Sequence, residues 1–136
     1  MTRATFQFYC KSSGPHAHRE PGSALTIRWR LLAGNRRELS RSAGLFPDHG
    51  AGLASVNQLL AEFHLLKPRL NIHPATSQWT WDLIREGDVV ATSARPYARR
   101  VECRMSVQQF LVLAPLASIE AHVRTYGPGR CAGARR

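Results

Sequence analysis

From Leu25 to Leu31 the chain alternates without a fault. Leu25, Ile27, Trp29 and Leu31 fall on one face, and Thr26, Arg28 and Arg30 fall on the other. A period of two predicts a half-buried strand with one wet face. Gly34-Asn35 marks a turn, and Glu38 to Ala43 returns as a second strand. Pro47-Asp48 then opens a helix. Leu53, Val56, Leu60 and Phe63 recur at steps of three and four and so share one helical face. That helix is expected to end near Leu66, ahead of Pro68.

The same pattern follows again. Trp79, Trp81 and Leu83 alternate with Thr80 and Asp82, Glu86-Gly87-Asp88 supplies a turn, and Val89 to Ser93 is the return strand. A second helix is predicted from Ala98 to Ala114, stopped by Pro115, with Cys103, Val107, Phe110, Leu111 and Ala114 on its buried face. Each half also has a leading strand, Phe6 to Cys10 in the first and Arg69 to His73 in the second.

Laid on each other, the halves match at an offset of 51 or 52 residues. Trp29 meets Trp81 and Leu31 meets Leu83. After a one-residue slip in the turn, Leu39 meets Val90, Ser42 meets Ser93 and Phe46 meets Tyr97. Gly52-Leu53-Ala54-Ser55-Val56 meets Cys103-Arg104-Met105-Ser106-Val107. The pattern reads as a duplicated strand–strand–strand–helix unit. One such unit is marginal alone, and its free strand edge invites pairing. A second copy covers that edge. The expected fold is therefore α+β: two βββα repeats forming an intramolecular pseudo-dimer, an antiparallel sheet packed by two helices. The expected boundaries are a first repeat over 1–67 with a loop at 11–23, a second repeat over 68–115, and a basic C-terminal tail over 116–136.

At these residues the sequence resembles the YegP-like family of small tandem-repeat domains, whose function is unknown. The first copy carries the pattern as Trp29-Arg30-Leu31, Gly34-Asn35, Ser42, Phe46 and Gly52-Leu53-Ala54-Ser55-Val56. The second carries it as Trp81-Asp82-Leu83, Gly87-Asp88, Ser93, Tyr97 and Cys103-Arg104-Met105-Ser106-Val107. Cys103 departs from it, standing where the pattern has the helix glycine. The resemblance implies the same fold of two βββα repeats and brings no catalytic residue with it.

Composition changes this picture in one respect. The 136 residues carry a net charge of +10, from 17 Arg and only two Lys, Lys11 and Lys67, against nine acidic groups. The excess sits in residues 1–46 and in the tail. A basic face is the footprint of a polyanion binder, though a solvated surface has the same composition. Three cysteines, Cys10, Cys103 and Cys131, form no paired spacing and read as free thiols in a reducing compartment. With no apolar leader and no membrane-length run, the protein is expected to be soluble and cytoplasmic.

Catalytic patterns are weak. Cys10, His16 and His18 give only three metal ligands, fewer than a closed zinc site takes. Cys103 has Arg99, Arg100 and Arg104 nearby, but no histidine is placed beside it. Asp82, Glu86 and Asp88 read as solvated groups around the second turn. Gly127-Pro128-Gly129-Arg130 lacks the Lys-Ser/Thr and the helix of a phosphate loop. The expectation is a non-enzymatic interaction module without metal or cofactor, binding an unnamed protein partner, as a monomer or weak homodimer and away from membranes. The alternative is sequence-nonspecific nucleic-acid binding through Arg28, Arg30, Arg36, Arg37 and Arg41. These would form one patch on the first hairpin, without an aromatic platform for bases.

Overall fold

The computed structural model describes residues 3–11 and 26–126. Its strands are β1 (Thr5–Lys11), β2 (Ile27–Leu32), β3 (Glu38–Ser42), β4 (Lys67–His73), β5 (Gln78–Arg85), β6 (Asp88–Ser93) and β7 (Ser118–Tyr126). Helix α1 (His49–Ala61) joins β3 to β4, and α2 (Arg100–Leu113) joins β6 to β7, each followed by one 3-10 turn. The strands form a single sheet in the order β4-β5-β6-β3-β2-β1-β7. The predicted strands and helices are all present, with ends moved by at most three residues except that α1 stops at Ala61, five short of the expected Leu66, and a 3-10 turn over Phe63–Leu65 follows.

Two expectations are corrected. The sheet is mixed, because β7 pairs with β1 in parallel while every other neighbouring pair is antiparallel. Both β1 and β7 run opposite to β2, so they run alongside each other, which the long connection between them permits. Residues 118–126, expected in a basic tail, are β7 itself. The loop over 12–23, with His16 and His18, and the stretch from Gly127, with Cys131, lie outside the described residues.

Both helices cover the same face of the sheet. The alternation of β2 aims Ile27, Trp29 and Leu31 at α1, and that of β5 aims Trp81 and Leu83 at α2. Val56 and Leu59 of α1, and Cys103, Val107 and Phe110 of α2, close the layer from above. These side chains form one continuous core across the middle of the sheet. Each of the larger ones contributes roughly 1.5–3 kcal/mol by leaving water.

The same local devices occur at matched positions in both halves. The amides of Trp29 and Trp81 each donate to a serine hydroxyl on the return strand, Ser42 and Ser93, both at 3.3 Å. Their indole N–H groups donate to a helix serine, Ser55 at 3.2 Å and Ser106 at 3.0 Å. Ile27 exchanges backbone hydrogen bonds with Phe46, as Trp79 does with Tyr97. Each hairpin slips register once, opposite Leu31/Leu32 and opposite Leu83/Ile84. Those slips leave Leu39 and Val90 as the extra residues of a β-bulge. The second hairpin closes on Glu86 and Gly87, at φ 49° and 90°. Positive φ at both turn residues suits the right-handed twist of the flanking strands.

Gly52 and Cys103 stand at equivalent points on the two helices. A Cβ at Gly52 would lie 3.2 Å from the Phe8 ring, closer than ordinary van der Waals contact, so glycine suits the close approach of α1 to β1. In the second half Leu70 occupies the place of Phe8, and the Cys103 side chain fits, fully buried.

Ser106 also bonds the Tyr97 hydroxyl, at 2.7 Å, whereas Ser55 holds Trp29 alone. Ser106→Ala strands a buried indole N–H, which costs about 1–3 kcal/mol. Ser55 is half-exposed, so water can replace its hydroxyl and Ser55→Ala should cost less. Urea midpoints measure the difference, and equal shifts would contradict it.

Candidate functional site

Because the helices share one face, no helix among the described residues covers the other face of the sheet, although Gln7 on it is buried. The alternation that buries Trp29 turns Arg28 and Arg30 outward to it. Strand register then builds a row of side chains across six strands: Gln7, Arg30, Arg41, Thr92, Asp82 and Arg69. At about 4.8 Å per strand the row is on the order of 24 Å long. A second, shorter row runs beside it, Arg124 of β7, Tyr9 of β1 and Arg28 of β2.

The arginines are held in place. Arg30 donates through Nε to Gln7 Oε1 at 2.8 Å and lies 3.6 Å from Glu38. Its guanidinium also sits over the Tyr9 ring, 5.0 Å from the centroid. Glu38 takes a second contact from Arg41 at 3.0 Å. Arg28 donates to the Ser42 carbonyl oxygen at 3.0 Å and has no carboxylate partner among the described residues. Arg124 grips Glu120 with two hydrogen bonds, at 3.1 and 3.0 Å. Asp82 accepts from both Arg69 and Asn71, each at 2.9 Å. Among the described residues this face thus carries Arg28, Arg30, Arg41, Lys67, Arg69 and Arg124 against Glu38, Asp82 and Glu120.

Proton affinities follow these contacts. Burial raises the Tyr9 hydroxyl above its ordinary value, more than the nearby guanidiniums lower it. The hydrogen bond from Arg124 holds Glu120 below the usual carboxylate range, against the opposing effect of burial. Burial pushes the Cys103 thiol up to about 11.

Of the five arginines read from the sequence, the structure brings together Arg28, Arg30 and Arg41. Arg36 is exposed at the β2–β3 turn in the left-handed region, at φ 66°. Arg37 lines a hollow on the helix side of the sheet, beside Tyr97 and Met105. Sequence reasoning missed Tyr9, Arg69 and Arg124. Tyr9 corrects the expectation that the patch lacks an aromatic ring. Its signal was available, since a strand that buries Phe8 and Cys10 turns Tyr9 outward. Asp82, expected beside a turn, is mid-strand in an ion pair, while Glu86 and Asp88 are exposed at the turn.

Cys103 is a buried free thiol, but Cys10 is disulfide-bonded, which corrects the reading of all three as free. Among the described residues, no group of three or more His, Cys, Asp or Glu could hold a metal ion. Within those residues, too, no helix is long and apolar enough to cross a membrane.

No family model and no curated protein matches the chain. Two solved structures are similar to it. One is the solution NMR structure of YegP from E. coli, a protein of unknown function. It shares 15% identity over 93% of this chain and 98% of that one, with a TM-score of 0.58. The other is the solution NMR structure of a UPF0339 protein from Shewanella oneidensis. It shares 13% identity over 88% of this chain and 92% of that one, with a TM-score of 0.57. At such identities the likeness establishes architecture, and by that architecture the chain resembles the YegP-like proteins.

Proposed function

We propose that the protein is a small non-enzymatic binding module, built as two fused βββα units, whose working surface is the face of its sheet opposite the helices. Its ligand is a polyanion, and single-stranded nucleic acid is the form that suits the face best. The observation that carries this reading is the pairing of Arg30 with Arg41 at the centre of the sheet, flanked by Arg28, Arg124 and the Tyr9 ring. Guanidiniums spaced across strands meet phosphates, and the Tyr9 ring, under the Arg30 guanidinium, helps to hold that cation in the row. Few groups there could read base edges, so binding is sequence-independent. The same face supports the non-enzymatic reading. Tyr9 holds its proton, and Glu38, Asp82 and Glu120 each engage an arginine. A unit whose inner edge is already covered by its fused mate works as a monomer or weak homodimer.

Fluorescence anisotropy with short single-stranded DNA and RNA at two salt concentrations tests the reading. Each phosphate contacted adds about 0.7 to the salt slope for a single strand. Arg28→Gln with Arg41→Gln should therefore flatten the slope by about 1.4 units and weaken binding at low salt. Absence of binding at low salt removes the nucleic-acid reading. Binding unchanged in the double variant moves the site off the sheet face.

A further inference from the structure

On the helix side of the sheet, away from the arginine face, the two halves differ in how they fill the space under their helices. In the first half Phe8 of β1 lies beneath α1, with His49 edge-on to it at 4.7 Å between ring centroids. Thr5 pairs with Leu32 and Lys67 pairs with Ile84, so β1 and β4 correspond and Leu70 stands in the place of Phe8. On the helices, Arg100 stands for His49 and Arg104 for Leu53. The second half therefore lacks both rings. It holds instead a hollow of about 410 Å³, floored by Trp79, Leu70, Val107 and Leu111 and rimmed by Arg100 and Arg104.

We propose that this hollow binds a small aromatic anion, a flat apolar body bearing one acidic group. The volume is within the range of small-molecule sites, and the lining is apolar with a few polar groups at one end, as such sites are. Trp79 is only half-buried and offers its ring to a stacked partner. Arg100 already lies 6.0 Å from the centroid of that ring. Arg100 and Arg104 are one helical turn apart, both are exposed, and neither has an ion pair among the described residues. Arg100 is also the first residue of α2, where the helix dipole favours negative charge. The rim thus supplies two guanidiniums to a carboxylate, sulfonate or phosphate, while the floor removes the aromatic body from water.

The test is an NMR titration of the ¹⁵N-labelled full chain with naphthalene-1-sulfonate, 1-naphthalenemethanol and inorganic phosphate. The sulfonate should shift the Trp79 indole N–H and the Arg104 amide saturably, and the other two should bind about tenfold more weakly. Arg100→Gln with Arg104→Gln should weaken the sulfonate about tenfold or more. Leu70→Phe, the residue type the first half carries, should fill the hollow and block binding. Arg28→Gln with Arg41→Gln should change nothing here, which separates this site from the sheet face. Equal affinity for the neutral analogue, an unmoved Trp79 signal, or full binding by the Arg100/Arg104 variant overturns the proposal. The last variant alters only exposed side chains, so it reports even if Leu70→Phe fails to fold.

Discussion

Trp81→Ala is expected to remove a large part of the stability of the whole chain. The side chain is fully buried between β5 and α2, in tilted contact with Phe110 at 5.6 Å. Truncating a buried tryptophan or phenylalanine costs about 3–5 kcal/mol. The substitution also removes the indole N–H that Ser106 accepts. A domain of this size has a total stability of about 5–15 kcal/mol, so one such loss takes a large part of it. Trp29→Ala should cost a similar amount, because Trp29 is equally buried and has Phe6 edge-on to it at 5.3 Å. The two tryptophans share one core, so either variant should melt in a single transition that carries both helices with it. Urea unfolding followed by circular dichroism and by fluorescence of the remaining tryptophans measures this. Two separated transitions in Trp81→Ala would mean that the halves fold independently.

The second large effect is chemical. Cys103 is fully buried, and its thiol is raised from 9.0 to about 11. Near pH 8 a shift of that size leaves the thiolate about a hundredfold scarcer than in the unfolded chain. Iodoacetamide should therefore modify Cys103 only as fast as the protein opens, and mass spectrometry of the Cys103 peptide follows the reaction. Rapid modification of the native protein at pH 8 would refute this. The sign of the linked stability is fixed as well. The native state keeps its proton to higher pH than the unfolded state does. Stability is thus full below about pH 9 and falls as pH rises toward 11, by roughly 2–3 kcal/mol. Tyr9, also raised, acts in the same direction. Cys103→Ala should flatten the part of the slope that Cys103 causes.

Much of this architecture was legible because two simple periods carry it. The alternation around Trp29 and Trp81 located β2 and β5, the offset between the halves located their return strands and helices, and the turn residues separated them. β7 was not read, although Ile119, Ala121 and Val123 alternate with Glu120, His122 and Arg124. Its short apolar side chains give a faint signal, and it is irregular in pairing, slipping against β1 between Phe6 and Phe8. The candidate face was half legible. Alternation gives the outward turn of Arg28 and Arg30, but only sheet order brings Arg124 and Arg69 to the same face from the two outermost strands. Arg37 was misassigned for a related reason. A turn residue has no fixed face, so nearness in sequence to Arg41 did not decide which side of the sheet it joins. The hollow beneath α2 was invisible, since it arises from Leu70 lying where Phe8 lies in the other half.

The outer strands of the sheet bear on how the protein behaves when concentrated. β4 ends the sheet on one side, and it begins Lys67-Pro68-Arg69. Proline cannot donate to a ladder, and two cations beside it repel a like strand approaching in register. Addition of further copies along the hydrogen-bonding direction is therefore disfavoured at that border. The β4 border of the seven-stranded sheet is in this way kept from serving as a seed for fibrous growth.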